Sequence, residues 1–165
     1  AAAVRAAIDA CFAPHAIARA LLNAGPLGAQ YGLAGHLASK KIDSLEWGAP
    51  ACAEEAFQCD AAITDARAGM ADTGALLVWS DPSFGRSSTL VVPVHLTLLP
   101  ASLILCDLID AFDVTLRHAA SLPGGAIPSN VVVINGPSNT ADIEMNLVTG
   151  VHGPKYLYIL VIEGI

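Results

Sequence analysis

The chain has 165 residues, the size of one ordinary domain that can bury a core without disulfides or a structural metal. With 54 % hydrophobic and 14 % charged residues it is too apolar for intrinsic disorder. A net charge of −7, with basic residues scattered apart from Lys40-Lys41, argues against nucleic acid or an anionic membrane as partner.

Taken in chain order, residues 1–24 are rich in Ala and Leu, and Val4, Ile8, Cys11 and Phe12 follow helical spacing. Pro14 divides this stretch into two predicted helices, and Gly25-Pro26 ends the unit. The N-terminus shows no basic segment followed by a compact apolar run, so no secretory signal is read there and a cytoplasmic protein is expected. Residues 27–55 hold neither a helical nor a strand period, and 39–44 read as an exposed loop.

The signals then sharpen. Residues 60–64 are predicted as a short strand, 67–69 as a turn and 75–79 as a second strand, the two pairing locally and closed by Asp81-Pro82. Residues 91–99 form a third strand and 101–118 a helix, with Ile104, Leu108, Ile109 and Phe112 on one face. A membrane span over 89–109 is rejected because Pro93, His95, Pro100 and Asp107 interrupt it. Residues 131–134 and 157–162 are nearly continuous apolar runs, as in strands covered on both faces. A helix between them would make a right-handed βαβ unit with a parallel pair. The expected fold class is α/β, one domain with a largely parallel sheet flanked by helices.

Cys11, Cys52, Cys59 and Cys106 are widely spaced, with no Cys-x-x-Cys pair. No ligand set for zinc or an iron–sulfur cluster is therefore read in the chain, and no metal is expected. The thiols read as core filler.

In parallel sheets ligands lie where strands end and helices begin. The turn Asn135-Gly136-Pro137-Ser138-Asn139-Thr140 is such a place. Gly136 permits unusual backbone angles, Pro137 stiffens the turn, and Ser138, Asn139 or Thr140 can cap the following helix, an effect of about 1 kcal/mol. On a helical projection Thr140 and Glu144 fall inside the apolar arc, so Glu144 is either a structural lock on the loop or a ligand-facing acid. Gly150 is a suitable helix C-cap, and Val151-His152-Gly153-Pro154 reads as a stiff return turn. His152 is either a hydrogen-bonded loop residue or a general base or metal ligand. Asp72-Thr73-Gly74 is a tight turn that could also bind a ligand. Arg86, with Ser87, Ser88 and Thr89, puts a cation and three hydroxyls before a buried strand that contains His95. Such groups suit anion recognition, while a satisfied core histidine is the plainer reading of His95.

Taken together, Gly69-Met-Ala-Asp-Thr-Gly74, Arg86-Ser-Ser-Thr-Leu90 with Pro93-Val-His95, Gly136-Pro-Ser-Asn-Thr-Ala-Asp-Ile-Glu144 and Gly150-Val-His-Gly-Pro154 resemble the LUD-domain family, the lactate-utilisation LutC/YkgG group. The similarity covers residues 60–163, the motif-bearing core, whereas 1–59 is a less readable helical part of the same domain. The resemblance implies a NagB/RpiA/CoA-transferase-like fold with its site on strand-end loops. It also implies a role in bacterial oxidation of L-lactate to pyruvate, as the cluster-free member of a set whose partners carry the iron–sulfur clusters.

Two functions follow as expectations. The first is an accessory subunit that binds a small anionic ligand or a partner through Thr73, Gly74, Arg86, Ser88, His95, Gly136, Ser138, Asn139 and Thr140. In it the turn at Gly136 walls a pocket shared with Asp72, Arg86 and His152. The alternative is a stand-alone enzyme of the CoA-transferase or sugar-phosphate-isomerase type, using Glu144, Asp72 or His152 as acid, base or nucleophile.

Overall fold

The computed structural model describes residues 1–48, 52–81, 84–140, 148–149 and 152–164. Helix α1 (Ala2–Phe12) stops at Ala13, where Pro14 cannot continue it. The second predicted helix is instead strand β1 (Arg19–Asn23), buried at all positions but the first. Ala and Leu favour helix in isolation, but here both sides of the segment are covered and tertiary burial overrides propensity.

The stretch without a legible period holds α2 (Gly25–Gln30), α3 (Leu33–Ser39), the edge strand β2 (Asp43–Glu46) and α4 (Cys52–Glu55). Lys40 and Lys41 form an exposed turn, as expected for a loop, whereas Ser39 ends α3 and Asp43 and Ser44 belong to β2. β3 (Ala61–Asp65) follows, then β4 (Ala68–Met70) and β5 (Leu76–Trp79). The local antiparallel pair is β4 with β5 across the turn at 71–75. The expected pairing of β3 with β5 does not occur, because the chain leaves one sheet after Asp65 and enters another.

A 3-10 turn (Arg86–Thr89) leads to β6 (Val94–Pro100). The helix expected over 101–118 starts later, after a 3-10 turn (Ala101–Leu103) and β7 (Ile104–Leu105), as α5 (Leu108–Ser121). Asp107 fixes that start, since its carboxylate accepts from the N–H groups of Ile109 at 2.8 Å and Asp110 at 3.0 Å.

β8 (Val131–Ile134), β9 (Asn139–Thr140), β10 (Val148–Thr149) and β11 (Tyr156–Ile162) complete the chain. Thr140 therefore lies in a strand, antiparallel to Val148, rather than at a helix N-terminus. The far end of the predicted helix is likewise strand, Val148–Thr149 being β10, while 141–147, including Glu144, and the predicted cap at Gly150 fall outside the described residues. The expected βαβ unit is also corrected, because β8 and β11 belong to different sheets.

One sheet has five parallel strands in the order β2-β1-β3-β6-β11. The other has four, in the order β7-β4-β5-β8. Strand alternation divides the parallel sheet into two faces. Leu22, Ile63, Leu96 and Leu98 pack under Ile8 and Phe12 of α1 and Leu33 and Leu37 of α3. On the opposite face Leu99 and Leu157 meet Leu76 and Val78 of β5. The outer side of the second sheet, Ala68, Met70 and Leu77, is covered by Ala111 of α5. The layers thus run helix, parallel sheet, second sheet, helix. No helix among the described residues is long and apolar enough to cross a membrane.

Candidate functional site

The inward face of the parallel sheet carries a row of polar side chains, set by register. Asn23 lies beside Thr64, Thr64 beside Thr97, and Ala62 beside His95. All three polar strand neighbours and His95 are buried. His95 Nε2 is 2.8 Å from Thr64 Oγ1 and 3.0 Å from Thr97 Oγ1, and the two hydroxyls are 3.3 Å apart. Asn23 Nδ2 donates to Ser88 Oγ at 2.9 Å, and Ser88 Oγ donates to the Gly85 carbonyl at 2.6 Å. Burial pulls the His95 pKa down to about 4, so the ring is neutral at pH 7. Its Nδ1 is buried without a hydrogen-bond partner among the described residues. Chemically, this row offers a neutral imidazole with one ring nitrogen uncommitted, held by two hydroxyls.

At the end of β3 lies a charged group that reading the sequence missed. The Arg67 guanidinium is 2.7 Å from Asp81 and 3.6 Å from Asp65. It also lies 5.5 Å from the Trp79 ring centre and 5.4 Å from that of Phe84. Burial raises the Asp65 pKa, and Arg67 only partly offsets this. The signal available in the sequence was a carboxylate two residues before an arginine at a strand end, with Asp81 closing the next strand.

The motif turns sit elsewhere. Asp72 and Thr73 are exposed in the β4–β5 turn, where Thr73 Oγ1 donates to Asp72 Oδ1 at 3.1 Å, and Gly74 adopts a φ of +68°. Leu76 pairs with Ile134, which puts this turn and the Gly136 turn at the same end of the second sheet. Gly136 has a φ of +87°, a backbone state that favours glycine. Ser138 joins the two C-terminal motifs. Its N–H donates to the Pro154 carbonyl at 2.9 Å, and its Oγ accepts from the His152 N–H at 3.2 Å. A Cβ on Gly153 would approach Ser138 Cβ to 3.2 Å, so the close contact of these turns is suited to glycine.

Asn139 pairs in register with Thr149. Arg86 is exposed on its 3-10 turn, without an ion pair among the described residues. The structure therefore brings Ser138 together with the His152 turn, and gathers His95 with Thr64 and Thr97 and Ser88 with Asn23. The Asp72 carboxylate accepts from Thr73, the exposed His152 is tied to Ser138 through its backbone N–H, and Glu144 lies outside the described residues.

A family model described as the LUD domain matches residues 25–162, which takes in Thr64, His95 and Thr97 and all the motif turns. The chain belongs to the LUD domain family. Among LUD relatives, lactate utilization protein C of Bacillus subtilis (strain 168) is 38 % identical over 109 residues, covering 66 % of this chain and 45 % of that protein. Lactate utilization protein C of Bacillus licheniformis is 36 % identical over 140 residues, covering 80 % of this chain and 58 % of that protein. The chain thus spans about half the length of the curated LUD relatives it matches. In fold it is similar to a crystal structure of a DUF162 family protein from Deinococcus radiodurans, with a TM-score of 0.53 and 19 % identity. That alignment covers 97 % of this chain and 98 % of the other.

Proposed function

We propose that this chain serves lactate utilisation as an accessory component of a system that oxidises L-lactate to pyruvate, presenting its strand-end turns to a small carboxylate or to a partner. The observation that carries this reading is the 38 % identity to lactate utilization protein C. Arg86 supports recognition of a carboxylate, being an exposed guanidinium beside the hydroxyl-rich turn whose Ser88 is fixed by Asn23. The cysteine spacing supports a cluster-free role, with iron–sulfur chemistry supplied by partner proteins. No particular observation favours a stand-alone transferase or isomerase, since no hydrogen bond or ion pair among the described residues joins Asp72 to His152.

The test is growth of a host deleted for the protein on L-lactate as carbon source, with complementation by the native form or by Arg86→Gln, alongside affinity capture of partners. Loss of growth restored by the native form, weaker rescue by Arg86→Gln, and capture of iron–sulfur proteins are expected. Undiminished growth of the deletion strain with no captured partner would overturn the proposal.

A further inference from the structure

We propose that this chain forms a two-fold dimer in which the edge strand β11 pairs antiparallel with β11 of a second copy, joining the two parallel sheets into one continuous sheet. The inference goes beyond the function proposed above and does not rest on it. β11 pairs with β6 on one side, and no strand among the described residues pairs with its other side. The Tyr156 N–H donates to the Pro93 carbonyl at the start of β6. By alternation along the strand, Leu157, Ile159 and Val161 turn their N–H and C=O groups to the open side.

A free edge of this kind is a template for another strand, and proteins ordinarily blunt it with a lysine, a proline, a bulge or a short length. β11 carries none of these. It runs for seven residues, Tyr-Leu-Tyr-Ile-Leu-Val-Ile, in unbroken register with β6 and without a charge, a proline or a glycine. Ile159 is 39 % and Val161 46 % exposed, whereas Leu96 and Leu98 of the neighbouring β6 are fully buried. Apolar hollows adjoin the strand on its two faces, about 440 Å³ beside Val4, Ala7 and Leu160 and about 370 Å³ beside Met70, Ile104 and Ile159. A copy seated on the edge extends apolar contact to both.

The charges at the two ends of the strand select the occupant and its direction. Lys155 precedes β11 and Glu163 follows it, both exposed and neither in an ion pair among the described residues. A two-fold axis perpendicular to the sheet at Ile159 sets Ile159 opposite its counterpart, Leu157 opposite Val161 of the second copy, and Lys155 opposite Glu163 of the second copy. The three outward-turned residues then exchange both backbone bonds with their opposites, giving about six hydrogen bonds between the strands. Lys155 and Glu163 lie on the same sheet face as Ile159, so an ion pair between the copies closes each end. A slip of two residues loses both ion pairs, and in-register parallel pairing sets lysine beside lysine. The antiparallel contact is isologous, so assembly through this edge stops at two copies.

Sedimentation equilibrium of the native chain at low salt, over protein concentrations of about 1 to 100 μM, should show a monomer–dimer equilibrium. Lys155→Glu and Glu163→Lys should each weaken association by about tenfold, since either one sets like charges at both ends of the strand pair. Combining the two substitutions should restore native association. Ile159→Pro, which removes an outward N–H at the axis and leaves the β6 side intact, should be monomeric with an unchanged circular dichroism spectrum. A native chain that stays monomeric at the top of the range, or assembles beyond the dimer, would overturn the proposal. So would single charge reversals that leave association unchanged, a combined variant as weak as the single ones, or a dimer that survives Ile159→Pro.

Discussion

At His95 an imidazole that looks out of place in an apolar strand is explained by what stands beside it. Thr64 and Thr97 lie on the same sheet face and take its Nε2, which no local reading of residues 91–99 reveals. The burial that makes this row possible has a thermodynamic consequence. The folded-state pKa is depressed to about 4 from 6.5, so the unfolded chain takes up a proton first as the pH falls. Stability from this residue is fully present above pH 6.5 and is lost between pH 6.5 and 4, up to about 3 kcal/mol. Asp65 acts with the opposite sign, because burial raises its folded-state pKa and protonation favours the folded form. Urea titrations from pH 7 to 4.5 should show the native chain losing stability, and His95→Gln should start less stable at pH 7 but change less with pH. Parallel pH profiles for the two proteins would rule out His95 as the source.

Helix α5 shows how an element can be legible while its orientation is not. Its existence follows from apolar periodicity, and its start follows from the Asp107 cap. The face read as apolar is nevertheless the outer one: Ile109 is 78 %, Phe112 58 % and Leu116 59 % exposed, whereas Ala111, Thr115 and Ala119 are buried. The helix packs by its small residues because Met70, Leu77 and Trp79 already fill the space above the second sheet. Hence Ile109→Lys should change stability by less than about 0.5 kcal/mol. Ala111→Leu should cost about 1–3 kcal/mol through overpacking. Denaturant midpoints compare them directly, and a larger loss for Ile109→Lys would mean that the helix is docked the other way round. β1 is the converse case, an Ala- and Leu-rich segment with helix-forming composition that becomes a strand because β2 and β3 flank it.

Across the whole molecule, the parallel sheet is the stable frame, and the second sheet is built on β4 and β5, inserted between β3 and β6, and extended by β7 and β8. Its central strands β1, β3 and β6 are paired on both sides, whereas β2 lies at the edge with its positions only partly covered. Amide exchange should therefore be slowest at Leu21, Ile63, Leu96 and Leu98 and much faster at Leu45. Mass-spectrometric exchange in which β1 and β2 open together would contradict this ordering. The α/β class, the β4–β5 turn and the LUD resemblance were legible in the residues alone, because burial patterns and turn chemistry are local, whereas the Gly136 turn leads into a strand and not the helix expected there. Which strands share a sheet, which side α5 presents, and the meeting of Ser138 with the His152 turn were decided only by tertiary structure. Those outcomes depend on contacts between segments far apart in the chain, such as Leu76 with Ile134 and Ser138 with Pro154, and no short stretch of residues encodes such contacts.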